Sequence, residues 1–530
     1  MNVPNTKNGV TKPLAFHPFL FSAYTVAALF ANNMDGTEPV STIRVLVAVL
    51  LFTGLVFVAF RFIASDQRKA ALSTLVVALL LFSYGHLYNL LKKLPLLTPV
   101  IRHRYFLPAL IFLAAFLIWR LLKVDGKKLA PVTRYLNVVS LFLVAMPVFT
   151  IGRYYLGSFP RSSAAVEAAG NGIASPDQPD IYYIILDAYG REDVLRDVDK
   201  IDNSAFIAAL EQRGFYVASQ SHSNYMQTVL SLASSLNMEY LQDLGYDAGA
   251  SFPRLYHTDL VESRVRRMLA EKGYQFVAFE TGYVTSIRNA DLYFAPDPSD
   301  LVSGQGGFQF NSFETLFLDT TAVKAWVDLQ QKSGQTALQA PYFEHRSRIL
   351  FTFEKLAEIP HLDGAHFVFA HVIVPHPPFV FGANGEVVYN THPFTLQDAQ
   401  NYSQDEYLAK YDAQLQYTNQ LVLATVDAIL KESKVPPIII LQGDHGPGAH
   451  LDWNSVERSN LPERFSILNA YYFPDQDYSH LPADITPVNS FRVILNQYFD
   501  AELPLLPNRN YFSVWNHPFD FTEVTDRLQH

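Results

Sequence analysis

No cysteine occurs among the 530 residues. Disulfides, thiolate zinc sites, iron–sulfur clusters and cysteine nucleophiles are thereby excluded. The compartment stays open, because an extracytoplasmic protein need not use disulfides. Charge is also scarce: 17% of residues are Asp, Glu, Lys or Arg, against 49% hydrophobic. That rules out a chain kept disordered by charge and leaves ample apolar surface for two or three domains. The charge is unevenly spread. Residues 1–157 carry 16 Lys and Arg against 4 Asp and Glu, while the remainder carries 24 against 46. An acidic larger part repels phosphate backbones, so no nucleic acid partner is expected.

What the first third does have is long apolar runs. Five stand out, at Pro13–Asn33, Val45–Ala64, Ala70–Leu91, Tyr105–Leu122 and Leu136–Gly152. Each is near the ~17–25 residues that cross a bilayer as a helix. A five-helix transmembrane domain over residues 1–157 is expected. With the N-terminus inside, cytoplasmic segments hold ten basic residues and outer loops hold five (Arg44, Lys92, Lys93, Arg102 and Arg104). This asymmetry favours a cytoplasmic N-terminus in a multi-pass membrane protein. An odd number of spans then puts everything beyond Gly157 in the periplasm or outside the cell. No cleavable signal is expected, since further spans follow the first apolar run.

Residues 158–180, SFPRSSAAVEAAGNGIASPDQPD, are small and polar with Pro and Gly, which suits a flexible linker. From 181 to 530 short apolar strands alternate with amphipathic helices. Strands are expected at Ile181–Leu186, Phe215–Ala218, Gln275–Phe279, His366–Val372 and Pro437–Leu441. Helices are expected at Ser204–Arg213, Val229–Leu241, Asp259–Glu271 and Asp405–Lys431. Such alternation predicts an α/β domain with a mostly parallel central sheet covered by helices. Residues 296–339 are irregular, and their sequence assigns them no place.

In an open α/β sheet, ligands bind at the carboxyl ends of strands. IYYIIL runs into Asp187, PIIILQG runs into Asp444-His445-Gly446, and FVFAHVIV delivers His371 and then His376. Carboxylates with imidazole suit a divalent cation such as Zn²⁺ or Mn²⁺. Each residue alone would read as a cap or turn; strand-end placement on separate strands is what points to a site. A polar loop, Ser221–Gln227, leads into a helix near Thr228. A hydroxyl there meets the N–H groups that hold a phosphate or sulfate, and a nearby dication would activate it. The plain alternative is that Thr228 is an N-cap.

LDAYGR after one strand, T-x-x-S-L-A-S opening a helix, PHPPF, and GDHG after a second strand occur in that order. With spans ahead of them, they resemble the alkaline phosphatase/sulfatase superfamily, in particular its membrane-anchored lipoteichoic acid synthases and phosphoethanolamine transferases. The resemblance covers about Pro179–Asp500, including ERFSILNAYYFP. It implies that Asp187, Asp444 and His445 are metal ligands and that Thr228 is both ligand and nucleophile. His376 would contact the substrate phosphate or assist the leaving group, with His371 and Asn224 also at the substrate. One divalent metal ion is implied, Zn²⁺ or Mn²⁺, with Mg²⁺ as a further candidate. The implied activity moves a phospho-headgroup, phosphoglycerol or phosphoethanolamine, from a membrane lipid donor to an envelope glycan or lipid acceptor. The alternatives are a phosphodiesterase or phosphatase of the same fold, a sulfatase, or a non-catalytic envelope protein. Sulfatases need a Cys or Ser that becomes formylglycine, and the stretch here begins with Thr228, which disfavours that activity.

Overall fold

The computed structural model describes residues 15–34, 39–64, 66–92, 94, 100–156, 178–250, 252–297, 310–332, 339–390, 394–396 and 402–528. Most of the expected linker, 158–180, lies outside these. Two compact units emerge. Residues up to 154 group with 310–332, and the other described residues form the second unit.

In the first unit five apolar helices follow one another: α1 (His17–Ala31), α2 (Ile43–Ile63), α3 (Gln67–Lys92), α4 (His103–Lys123) and α5 (Ala130–Leu156). Among the described residues, α2 to α5 are long and apolar enough to cross a membrane. The protein is membrane-anchored. α1 is shorter than the run that predicted it. Its 15 residues reach only about 22 Å at ~1.5 Å per residue, short of a ~30 Å hydrocarbon core. Pro18 starts it and Asn32 ends it. Large apolar side chains on α2, α4 and α5 face outward, among them Phe62, Phe112 and Phe149. In water such exposure would be costly; against lipid it is the expected surface.

The stretch that the sequence could not place belongs to this unit. It forms α9 (Ser312–Thr320) and α10 (Lys324–Lys332), taking numbers in chain order with those below. Asn311 caps α9 with a capping box and also donates to Ser41 O. Phe313 packs on Phe30 and Phe317 on Phe82. Gly85 lets the α9 backbone close in: a Cβ there would stand 2.0 Å from Asp319 O. Lys324 joins Asp319 (2.5 Å) and Asp328 (3.2 Å), and Asp328 meets His103 Nε2 at 2.6 Å. These contacts all fall at one rim: the end of α1, the start of α2, the end of α3 and the start of α4.

The second unit is built on a seven-stranded sheet. Its strands are β1 (Ile181–Leu186), β2 (Tyr216–Val217), β3 (Gln275–Phe279), β4 (Leu292–Phe294), β5 (His366–Val372), β6 (Ile438–Gly443) and β7 (Asn469–Tyr472). They lie in the order β2-β7-β6-β1-β5-β3-β4; β7 runs antiparallel to both β2 and β6, and the other ladders are parallel. β1 sits centrally, Ile181 facing both Phe367 and Ile438 across parallel ladders. All six of its residues are buried, as expected for a strand covered on both faces. Alternate residues serve opposite layers. Ile181, Tyr183 and Ile185 pack with helices α7 (Thr228–Asn237) and α13 (Pro487–Phe499). Tyr182, Ile184 and Leu186 pack with α6 (Ser204–Gln212), α11 (Ala340–Glu358) and α12 (Gln404–Glu432). Helix α8 (Arg264–Glu271) is shorter than expected, because 255–261 forms a separate wide turn before it. The α/β architecture is as the sequence implied, with β4, β7, α11 and α13 added.

Candidate active site

Three parallel strands end side by side and deliver the site. Asp187 follows β1, Asp444 and His445 follow β6, and His371 is the penultimate residue of β5. Asp187 and Asp444 are 3% and 1% exposed. Ala188 adopts a left-handed conformation (φ 62) that turns its N–H onto Asp444 Oδ1 at 3.0 Å. The His445 N–H donates to the same oxygen at 2.9 Å. His445 Nε2 then lies 3.3 Å from Asp444 Oδ2, 3.6 Å from Asp187 Oδ1 and 3.2 Å from Thr228 Oγ1. Four expected ligand residues thus converge. His371 joins them, its Nε2 3.2 Å from Asp187 Oδ2 and its Nδ1 2.7 Å from Thr285 Oγ1.

Two buried oxygens, Asp187 Oδ1 and Asp444 Oδ2, have no hydrogen-bond partner. Leaving such atoms bare is costly unless a cation meets them. Both oxygens lie within 4 Å of His445 Nε2. The donor set of carboxylates and imidazole therefore fits a divalent metal ion. Without one, burial pushes the Asp444 carboxyl up to about 7, and the charge of Asp187 pushes the same way. Asp187 is held low: burial would raise it, but His376, His371 and His445 together outweigh that. Burial pushes the His445 and His376 imidazoles below their ordinary range, although the charge of Asp187 pulls both the other way.

Thr228 is the first residue of α7, and Gln227 occupies the N-cap without a side-chain cap bond. The plain capping role for Thr228 is thereby removed. Its hydroxyl sits where the free N–H groups of a first helical turn favour an anion. The loop before it is clamped. Arg464, 2% exposed, donates to Met226 O through Nε (2.9 Å) and Nη2 (2.6 Å), and to Gly446 O through Nη1 (3.0 Å). One guanidinium thus joins the loop before Thr228 to the Asp444-His445-Gly446 turn. His376 stands across the site, its ring 6.2 Å from that of His445.

Asn224 is fully buried. Its side chain is spent internally, donating to Arg509 O (2.9 Å) and accepting from Val488 N (2.9 Å). It holds the loop's shape. Arg464 and Thr285 were not singled out from the sequence. Arg464 sits inside the ERFSILNAYYFP segment, whereas nothing local marks Thr285.

The sequence model of the Sulfatase family matches residues 179–491, more than half the chain. The chain belongs to the sulfatase family. This sulfatase-family protein is a metal-dependent enzyme of the alkaline phosphatase/sulfatase superfamily. No curated protein matches it. Among solved structures it is similar to the C-terminal periplasmic domain of EcEptC from Escherichia coli in complex with Zn. That match has 10% identity and a TM-score of 0.41, over 68% of this chain and 95% of that one. The integral membrane lipooligosaccharide phosphoethanolamine transferase A from Neisseria meningitidis matches at 11% identity and a TM-score of 0.37. It covers 91% of this chain and 94% of that one.

Proposed function

We propose that the protein is a membrane-anchored phosphotransferase that takes a phospho-headgroup from a lipid onto Thr228 and passes it to an envelope glycan or lipid. The observation that carries this reading is Thr228 Oγ1 at a helix N-terminus, 3.2 Å from His445 Nε2 and beside unpartnered carboxylate oxygens. A threonine there serves as a nucleophile for phosphorus but gives no formylglycine, so it suits phosphoryl rather than sulfuryl chemistry. The metal, Zn²⁺ or Mn²⁺, would be held by Asp187, Asp444 and His445 with Thr228, and His371 is placed to join them. When bound it supplies positive charge that lowers the hydroxyl's pKa and offsets the phosphate's charge.

The chain's own residues do the rest. Thr228 Oγ1 attacks phosphorus, an O–P bond forms, and the bond to the glycerol oxygen of diacylglycerol breaks. His376 takes the Thr228 proton and returns it to that oxygen, so the first half balances. In the second half an acceptor hydroxyl attacks the same phosphorus, the proton moves the opposite way, and Thr228 is freed. Free N–H groups at the start of α7 favour the charged oxygens in both halves. Spans keep the site near a lipid donor, with the N-terminus cytoplasmic and the catalytic unit outside the cytoplasm. A reporter active only outside the cytoplasm, fused after Ser158, should be active; activity of a cytoplasm-only reporter there would reverse the topology.

Incubation with native membrane lipids and no acceptor should leave an adduct on the peptide containing Thr228. Its mass names the headgroup, glycerol phosphate or ethanolamine phosphate, and Thr228→Ala should carry none. Turnover of the lipid with water as sole acceptor, as fast as with any added glycan, would make the enzyme a phosphodiesterase instead.

A further inference from the structure

A second group of carboxylates and imidazole is buried in the catalytic unit, built from residues that the reaction does not use. Asp199 closes the turn Leu195–Asp199 that follows β1, and Lys200 after it takes the left-handed conformation that reverses the chain. His450 lies on the loop after β6, and Glu463 on the short helix Leu461–Phe465. Asp199 is 4% exposed, and neither of its carboxylate oxygens has a hydrogen-bond partner. His450 Nδ1 lies 3.2 Å from Glu463 Oε1 and 3.6 Å from Asp199 Oδ1, yet it too makes no hydrogen bond. Three donor atoms therefore point at a common space, in which His450 and Glu463 stand at ion-pair distance and Asp199 has no hydrogen bond at all.

We propose that Asp199, His450 and Glu463 hold a second divalent transition-metal ion, zinc or manganese, which ties the loop after β6 to the turn after β1. The geometry matches. Ligands about 2.1 Å from a tetrahedral ion stand about 3.4 Å apart, and the two distances from His450 Nδ1 bracket that value. Glu463 is already oriented: Oε1 accepts from Ala449 N (2.9 Å) and Oε2 from His450 N (2.9 Å). Such hydrogen bonds behind a carboxylate are what fix a ligand's direction. His450 is about a quarter exposed, which leaves a way in for the ion and a place for a water ligand. A protonated His450 alone would offset only one of two buried charges. A proton on Asp199 is the competitor, since burial and the charge of Glu463 push that carboxyl up to about 7 when no ion is present.

The role is structural. Glu463 grips the loop six residues beyond Asp444, and its backbone oxygen packs on Gly446, where a Cβ would stand 2.0 Å away. A second ion would therefore hold the Asp444-His445 turn from behind. This inference uses none of the residues on which the phosphotransferase reading depends.

The test counts metal in the full-length protein in detergent, stripped with a chelating resin and reloaded with Zn²⁺ or Mn²⁺. Two ions per chain are expected. Asp199→Asn should retain one and His445→Gln the other, while the combined variant should retain none. His450→Gln, at a partly exposed position, should also retain one and covers the case where Asp199→Asn does not fold. A single ion in the wild type that both Asp199→Asn and His450→Gln keep would overturn the proposal. A single ion lost in those variants but kept by His445→Gln would uphold it and remove the metal from the catalytic cluster instead.

Discussion

The clusters around Asp187 and around Asp199 are made of the same parts. Each pairs two buried carboxylates with imidazole, each leaves carboxylate oxygens unpartnered, and each draws on the segments after β1 and β6. They differ in what else faces the centre. At Asp187 the further groups are a hydroxyl on a helix N-terminus and two more histidines, His371 and His376. At Asp199, backbone N–H groups of the loop occupy Glu463 instead. On the proposed reading, ligands of one kind serve two tasks, and only the cluster with a hydroxyl in an anion-favouring place is equipped for group transfer.

The comparison breaks first, and hardest, at Thr228. Thr228→Ala should lower turnover by on the order of 10⁴-fold or more, as removal of a nucleophile does, while the variant folds and keeps Asp187, Asp444 and His445 for the metal. Steady-state rates with a labelled lipid donor measure this. Asp199→Asn should stay within about tenfold of the wild type, because it acts on a loop rather than on phosphorus. A larger loss at Asp199 than at Thr228 would exchange the roles of the two clusters.

Arg464 comes next, because it stands between them. It follows Glu463 in the chain and clamps Met226 O and Gly446 O. Arg464→Met leaves two buried carbonyls without their charged donor, costing about 3 kcal/mol of stability. Turnover should fall with it, since both the Thr228 loop and the Asp444 turn lose a common anchor. Thermal unfolding and rate, measured together, check the pairing; a drop in rate with unchanged stability would mean that Arg464 touches substrate.

Much of this was legible in the chain. The central strands, buried on both faces, read as unbroken apolar runs ending in Asp187 and Asp444, so the convergence of these two carboxylates followed from strand ends, while Thr228 was read from a helix start. Residues 310–332 were not legible, because their partners are Ser41, Phe30, Phe82, Gly85 and His103, far back in the sequence. The Asp199 cluster escaped notice for a related reason: a turn, a loop and a five-residue helix carry its ligands, and none sits at a strand end. Asn224 has a different place in the fold. Its place in a polar loop before Thr228 suggested substrate contact, but the loop needs that amide to satisfy its own backbone.

The finest difference between the clusters is how the histidines are aimed. His371 is held from behind by Thr285 Oγ1 at 2.7 Å, and Thr285 in turn meets Thr281 Oγ1 at 3.1 Å. Thr281 reaches Ser286 (3.0 Å), and Ser286 reaches Glu280 (3.2 Å), so a relay of hydroxyls anchored on a carboxylate fixes the ring. Thr285→Val keeps the shape and removes the oxygen. It leaves His371 Nδ1 buried without a partner, a loss of about 1–3 kcal/mol in the ring's orientation. Metal affinity at the catalytic cluster should fall roughly tenfold, the low end for a partner behind a ligand. The Asp199 cluster, oriented by backbone N–H groups, should bind its ion as before. Thr285→Ser, which keeps the oxygen, should recover the loss. Metal titration of the two variants decides it: equal affinities for Thr285→Val and Thr285→Ser would mean that Asp187 alone aims His371.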